Sequence, residues 1–301
     1  MGLERRACGR VKQGASRSLP AIADPIDIAL TEDLGSGDLT TQAVVPEGAE
    51  ARARIEQRAP GVVAGLGVAQ AVFSRVDPSL SFAALAPEGE WREPGVLAEI
   101  SGSAASILAA ERVALNFLGR LSGVATLTAR YAQAVEGTGT RILDTRKTTP
   151  GLRELEKAAV RAGGGMSHRS GLYDAILVKE NHAALVGGVR EATSRALEAT
   201  RGHAPADGGH AVTVEVECAT VAEVEAAVAA GVPRVLLDNM GLEELRQAVA
   251  IAAGRAELEA SGGITLDGVR AVAETGVDYI SVGALTHSAP ALDVSLLLEP
   301  T

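Results

Sequence analysis

Val212-Thr-Val-Glu-Val-Glu-Cys218, the run Val221–Ala230 and Arg234-Val-Leu-Leu-Asp-Asn239 read in order as strand, helix and strand. The outer two are short and rich in β-branched and aliphatic residues. The middle one is Ala-rich with helical spacing of its apolar positions. A helix between two such runs leaves room only for a crossover, so the strands pair in parallel as a βαβ unit.

The same alternation extends in both directions. Further strand-like runs are Arg141-Ile-Leu143, Ala175-Ile-Leu-Val178, Ala256 to Ala260 and Tyr279-Ile-Ser-Val282; further helical stretches are Gly151–Ala162, Ala183–Ala199, Leu242–Ala253 and Leu266–Thr275. Six units predict a parallel sheet curling toward a barrel. The region is shorter than the roughly 250 residues that eight full repeats need, so the barrel is expected to be abbreviated. An open doubly wound sheet is the competing topology.

Upstream the pattern differs. Ala51-Arg-Ala-Arg-Ile-Glu-Gln-Arg58 alternates as a half-buried strand does. Val68–Val76 reads as a helix, and Ser79–Leu85 and Gly95–Ile100 as strands around the turn-rich segment Pro87–Pro94. Ser103–Val135 is helical in period, and Leu121-Ser-Gly123 is expected to break it into two helices. No low-complexity linker separates this mixed α/β unit from the repeats.

Composition excludes several functions. The chain has 301 residues, 47% of them apolar and 22% charged, enough to build a core and unlike a disordered chain. Aromatics are 2% and the net charge is −10, which argues against a nucleic-acid platform. No run approaches the roughly 20 apolar residues of a membrane span. Two cysteines, Cys8 and Cys218, rule out a disulfide framework and fit a reducing cytoplasm. The first residues, with Arg5, Arg6, Arg10, Lys12 and Arg17, read as a basic tail without a secretory apolar run.

The chemistry-bearing residues fall where the strands end. The runs lead into Asp144-Thr-Arg-Lys147, Lys179-Glu-Asn-His182, Glu215 and Glu217 followed by Cys218, Asp238-Asn239, Ser261-Gly-Gly263 and Gly283-Ala284. Carboxyl ends of parallel strands are where such folds bind ligands. Any one of these residues alone is more simply a helix cap or tight turn. Together they bring cations (Arg146, Lys147, His168, Arg169, Lys179) and carboxylates (Glu217, Asp238) to one rim. The cations suit an anionic ligand, and the carboxylates suit hydroxyls, a metal or developing positive charge. Ser261-Gly-Gly263 ahead of a helix near Leu266, with the Gly283-Ala284 turn beside it, reads as a phosphate cradle. Gly163-Gly-Gly-Met-Ser-His-Arg169 is either a plain connector or a loop presenting His168 and Arg169. Walker, dinucleotide and zinc-protease motifs are absent, and Ser122 lies in no nucleophile elbow. Glu111-Arg112, in an apolar helix, reads as an ion pair or as an arginine reaching a neighbouring subunit.

These residues resemble the quinolinate phosphoribosyltransferase (carboxylating nicotinate-nucleotide pyrophosphorylase) family, a type II phosphoribosyltransferase group. The resemblance is carried by Thr31-Glu-Asp-Leu-Gly-Ser-Gly-Asp-Leu-Thr-Thr41, Glu111-Arg-Val-Ala-Leu-Asn116, Leu121-Ser-Gly-Val-Ala-Thr126, Asp144-Thr-Arg-Lys-Thr-Thr-Pro-Gly-Leu-Arg153, Gly163–Arg169, Lys179-Glu-Asn-His182, Leu237-Asp-Asn239, Ser261-Gly-Gly263 and Ser281-Val-Gly-Ala-Leu-Thr-His-Ser288. It implies an α/β protein: an open-faced α/β sandwich (residues 25–120 and 286–301, after a tail of residues 1–24) and an incomplete α/β barrel (residues 121–285) carrying the site. Asp293–Leu298 would return to the first unit.

The resemblance further implies transfer of phosphoribosyl from 5-phosphoribosyl-1-pyrophosphate to quinolinate with loss of CO2 and use of Mg²⁺, in a cytoplasmic homodimer. Arg146, His168, Arg169 and Lys179 would line the quinolinate pocket, and Arg112 would enter it from the partner. Thr145 and Lys147 would complete the first-strand segment, with Lys147 near the pyrophosphate. Glu217 and Asp238 would meet the ribose and the metal, so Lys147, Glu217 and Asp238 would be the catalytic set. Ser261, Gly262, Gly263, Val282, Gly283 and Ala284 would hold the 5′-phosphate. One departure is Ser167, where the family commonly has Asn; its shorter reach is expected to move His168 slightly. The alternatives are a paralogous transferase for another aromatic acid, a Schiff-base lyase using Lys147 or Lys179, and a non-catalytic sugar-phosphate-binding regulator.

Overall fold

The structure, a computed structural model, describes residues 24–200 and 212–300. The expected basic tail lies outside the described residues except for Asp24. Helices α1 (Pro25–Leu34) and α2 (Leu39–Val44) each start on an aspartate cap: Asp24 accepts the Ile26 N–H at 2.9 Å and Asp38 the Thr41 N–H at 3.0 Å. In β1 (Glu50–Gln57) Ala51, Ala53, Ile55 and Gln57 turn inward while Arg52 and Arg54 turn out. There follow β2 (Gly61–Val62), α3 (Leu66–Val76), β3 (Ser81–Ala84), β4 (Trp91–Arg92) and β5 (Gly95–Ser103). β5 pairs antiparallel with both β1 and β3. β2 and β4 form a small ladder of their own, so the turn-rich Pro87–Pro94 segment does hold a short strand.

Helix α4 (Ala104–Ala134) is unbroken over 31 residues, about 46 Å, contrary to the expected interruption at Leu121-Ser-Gly123. The reason is packing. Ser122 Oγ both accepts the Ala64 N–H (3.1 Å) and donates to the Ala64 carbonyl (3.2 Å), and Thr126 serves Val62 in the same way (2.9 and 3.3 Å). Gly123 is small because the Pro290–Ala291 backbone lies on it: a Cβ there would collide with the Pro290 carbonyl. α4 also joins the two cores. Its Ile107, Ala110, Val113 and Leu118 pack with β1, β5 and α3, and its Leu121, Val124, Ala125 and Tyr131 pack with the C-terminal repeats.

The repeats are β6 (Arg141–Leu143), α5 (Arg153–Ala162), β7 (Ala175–Val178), α6 (Glu180–Val186), α7 (Val189–Thr200), β8 (Thr213–Cys218), α8 (Val221–Ala229), β9 (Arg234–Asp238), α9 (Leu242–Ala252), β10 (Glu257–Ser261), α10 (Val269–Ala273), β11 (Tyr279–Ser281) and α11 (Ala284–His287). Two expected helices change. Ala183–Ala199 is split at Gly187-Gly188, both with left-handed φ (95° and 117°), and the one expected from Leu266 is helical only over Val269–Ala273. The last strand, β12 (Val294–Pro300), leaves the repeats and pairs antiparallel along β1.

The six strands β6 to β11 form one parallel sheet in the order β6-β11-β10-β9-β8-β7. It is an incomplete barrel, with β6 and β7 at its free edges. Pairing register and strand alternation divide its faces. Ile142, Val178, Val214, Val216, Val235, Leu237, Leu258, Ala260 and Ile280 face the helices and are buried with them. The inner face carries Arg141, Glu215, Glu217, Arg234, Asp238, Glu257, Glu259, Tyr279, Ser261 and Ser281, where barrels commonly stack aliphatic layers.

Gly123→Ala should destabilise the protein by about 1–3 kcal/mol through overpacking, read as a lower urea midpoint at unchanged slope. An unchanged midpoint would contradict the α4 packing described.

Candidate active site

At the amino-end of the inner face, charge is settled internally. Tyr279 lies between Arg141 and Arg234, whose guanidinium carbons are 4.9 and 4.3 Å from its ring centre, and Arg234 pairs with Glu257 at 2.7 Å. The carboxyl end is different. Leu143, Ser281, Ser261 and Asp238 lie in one paired row, and the residues just beyond them form the rim.

Lys147 hangs over the Gly283 turn: a Cβ on Gly283 would come within 3.2 Å of its Cδ, and Thr286 Oγ1 donates to the Lys147 carbonyl at 2.9 Å. Thr145 Oγ1 accepts the Lys147 N–H at 3.1 Å. Next to this turn, Gly262 has φ 103°, and a Cβ there would collide with the Asn239 side chain. Asn239 is itself left-handed (φ 55°), its N–H bonded to the Ser261 carbonyl at 2.9 Å. Two tight backbone turns, 261–263 and 282–284, thus sit side by side on neighbouring strands. The α10 N-terminus does not reach them, since Ile264–Gly268 intervenes.

Lys179, just past the end of β7, and Glu217 of β8 form an ion pair. Asp238 Oδ2 accepts from the Asn239 side-chain amide at 3.0 Å. Glu217 and Asp238 are oxygen donors at the rim of the kind Mg²⁺ takes. Among the described residues, the group whose metal-binding atoms lie within 4.8 Å of one another is a different one, His168, Glu215 and Glu259, below the rim.

The Gly163–Arg169 loop lies in the seam between the free edges. Met166 bridges to Leu143, donating to the Ile142 carbonyl at 2.8 Å, and Arg169 Nη1 reaches the Ala175 carbonyl at 3.4 Å. His168 points inward. Its Nε2 is 2.9 Å from Glu215 and 3.4 Å from Glu259, and its Nδ1 accepts the Arg169 N–H at 2.7 Å. Burial opposes a charged ring, but the bonds to Glu215 and Glu259 outweigh it and raise the imidazole to about 9. The Arg169 N–H contact belongs to the neutral ring and must open when the second proton binds. In the charged ring Nε2 stays on the glutamates and the backbone stays on Asp144 and Lys157, so His168 meets the site as a fixed wall.

Arg169 stands by Arg146. Burial, then the Arg146 charge, lowers its hold on its proton, and the buried Arg146 Nε has no partner among the described residues. Two guanidiniums side by side make a socket that a bound dianion relieves.

Three buried polar residues outside the expected site set its shape. Lys157 pairs with fully buried Asp144 and donates to the His168 carbonyl at 2.8 Å, while Asp144 accepts the His168 N–H at 2.9 Å. Asp144 therefore supports the loop and does not face the rim. Buried Glu156 accepts from Thr149 (Oγ1, 2.7 Å) and from Arg120, which also holds the Ala289 carbonyl at 2.9 Å. Partly buried Arg153 donates to Thr148 Oγ1 (3.0 Å), the Ser170 carbonyl (2.9 Å) and the Arg146 carbonyl (3.3 Å). Their helical spacing in Arg153-Glu-Leu-Glu-Lys157 was the available signal.

Ser167, the departure from the family pattern, accepts from Arg161 at 2.9 Å, and His168 is fixed through its own backbone and ring. Arg112 is 63% exposed on α4, 4.0 Å from Glu111. A cavity of about 1,000 Å³ opens beside the rim, between α1 and α5, lined by Pro25, Ile26, Thr148, Arg153, Ser170 and Tyr173. It contains none of the expected rim cations, so the convergent chemistry assigns the site to the rim.

A parallel sheet with clustered cations, two rim carboxylates and paired glycine turns at its carboxyl end defines an α/β-barrel enzyme for phosphorylated, anionic substrates. The quinolinate phosphoribosyl transferase N-terminal domain model matches residues 38–122, and the C-terminal domain model residues 124–297. A probable nicotinate-nucleotide pyrophosphorylase [carboxylating] of Bacillus subtilis (strain 168) is 42% identical over 88% of this chain and 89% of its own. Quinolinate phosphoribosyltransferase [decarboxylating] 1b of Nicotiana tabacum is 40% identical over 91% and 81%. The crystal structure of NadC from Streptococcus pyogenes superposes with a TM-score of 0.85 at 42% identity, covering 93% of this chain and 97% of that one. The chain belongs to the quinolinate phosphoribosyltransferase family.

Lys157→Met leaves Asp144 buried and unpaired and should cost about 3–5 kcal/mol of unfolding free energy, much of it recovered in Asp144→Asn/Lys157→Met. Chemical denaturation of the two variants checks this; equal stability of the two would contradict it.

Proposed function

We propose that this chain transfers the phosphoribosyl group of 5-phosphoribosyl-1-pyrophosphate to quinolinate with loss of CO2, yielding nicotinate mononucleotide and pyrophosphate in the de novo route to NAD. The observation that carries it is the Arg146–Arg169 pair beside the two glycine turns: a dianion socket next to a phosphate cradle, in a chain matching both family domains along 38–297.

In this reading Ser261, Gly262, Gly263, Val282, Gly283 and Ala284 hold the 5′-phosphate in the two turns, while the Val282 N–H stays on the Leu143 carbonyl at 3.0 Å. Lys147, anchored through Thr286, balances the charge of the departing pyrophosphate. Arg146 and Arg169 grip the two carboxylates, with Thr145, Lys179 and the His168 wall completing the pocket, so that the pyridine nitrogen attacks the anomeric carbon in line. Glu217 and Asp238 face the positive charge that grows on the ribose. The pyridinium formed accepts the electron pair left when the 2-carboxylate departs as CO2, and a proton from water takes its place. Glu217 and Asp238 would hold Mg²⁺, which supplies charge neutralisation for the pyrophosphate when bound; Glu217 must then release Lys179.

The reading includes a homodimer in which Arg112 of one copy completes the other copy's pocket; the exposure of Arg112 supports it. A cytoplasmic setting rests on the cysteine content, and among the described residues no helix is long and apolar enough to cross a membrane. The lyase alternative loses ground because Lys179 is half exposed and ion-paired, the opposite of a desolvated imine-forming amine.

Steady-state kinetics tests the assignment. Arg146→Ala should raise the quinolinate KM about 10- to 100-fold, and Lys147→Ala should lower kcat about 100-fold. An unchanged quinolinate KM in Arg146→Ala would remove the dicarboxylate socket from the account.

A further inference from the structure

Two buried glutamates below the rim take no part in the chemistry above. Glu215 of β8 and Glu259 of β10 are inner-face residues separated by one strand, and they are 3% and 0% exposed. Glu215 Oε1 and both carboxylate oxygens of Glu259 have no hydrogen-bond partner among the described residues. A barrel interior built for stability alone would place aliphatic side chains here, because desolvating two carboxylates costs several kcal/mol each. With Arg234 and Ser281 around them, they share one ring: His168 Nε2 sits 2.9 Å from Glu215 and 3.4 Å from Glu259. The shorter separation is that of a hydrogen bond.

The ring is a peg for the seam loop. Nothing on a strand carries His168, and its backbone is held from the other side by Asp144 and Lys157. Arg169 follows it directly in the chain. The position of the ring therefore passes along the backbone to the guanidinium beside Arg146.

We propose that Glu215 and Glu259 are positioning residues for quinolinate: they seat the His168 ring in the open seam of the barrel and so set where Arg169 stands against the dicarboxylate. The proposal rests on the quinolinate reading above. It differs from a general structural role in its selectivity. The phosphate turns at 261–263 and 282–284 hang on β10 and β11, not on the seam loop, so binding of the ribosyl donor should be spared.

The test is steady-state kinetics of Glu259→Gln and of Glu215→Gln/Glu259→Gln, alongside thermal denaturation. Glutamine preserves size but removes the counter-charge of the buried ring, so some loss of melting temperature is expected, and the kinetics are read at a temperature where both variants remain folded. The double variant should raise the quinolinate KM about 10-fold or more, with the KM for 5-phosphoribosyl-1-pyrophosphate within about twofold of the parent. The single variant, which keeps one carboxylate on the ring, should fall between. An unchanged quinolinate KM, or equal losses for both substrates, would overturn the proposal. A parent protein that makes no product from quinolinate would overturn the functional reading, and the proposal with it.

Discussion

A parallel sheet that carries charge on its concave face must neutralise that charge from within, and this requirement shapes the molecule. The outer face of β6–β11 is aliphatic and buried under the helices. The inner face is a column of acids and bases. Its lower level closes on itself through Arg141, Tyr279, Arg234 and Glu257. Its middle level has two glutamates; Arg234 stands opposite Glu215 in register but is paired with Glu257 and stacked on Tyr279, and a further positive group comes from outside the sheet, on a loop. A closed barrel would shut that loop out. The gap between β6 and β7 admits it, so the incompleteness of the barrel and the polarity of its interior are one arrangement.

The rim inherits its order from these levels. Arg169 is placed by the loop that His168 anchors, and Arg146 by the Arg153 staple, so the two guanidiniums meet although nothing in the chain separates their charges. Lys147 and the 282–284 turn are tied together through Thr286, whose carbonyl Arg120 holds along with Glu156. One side is shaped for carboxylates and the other for phosphate, with Glu217 and Asp238 between the two chemistries. α4 serves both units at once. It carries the core of the antiparallel sheet on its first half and the floor of the barrel on its second.

Much of this was legible in the sequence. Short β-branched runs marked each strand, because a strand buried on one face against helices needs little more than its aliphatic pattern. The rim residues stood at the ends of those runs, where polar side chains break the pattern and become visible. The inner face was harder to read. Glu215 alternates with Val214 and Val216 as a solvated strand face would, and only the register shows that the side it turns to is enclosed. The link from Glu259 to His168 spans 91 positions, and no local pattern encodes it. Leu121-Ser-Gly123 looked like a helix break because its serine and glycine are poor helix residues; tertiary contact to Ala64 and Pro290 overrides that preference. At Gly187-Gly188 no such contact intervenes: a Cβ at either glycine would meet nothing within 4 Å, and the helix ends there.

The central claim is that the polar rim, and not the cavity between α1 and α5, is where the reaction happens. A crystal structure with quinolinate and a non-hydrolysable analogue of 5-phosphoribosyl-1-pyrophosphate tests this directly. The account predicts the two carboxylates against Arg146 and Arg169 and the 5′-phosphate against the turns at 261–263 and 282–284. Quinolinate in the cavity between α1 and α5, with the Arg146–Arg169 socket unoccupied, would contradict it.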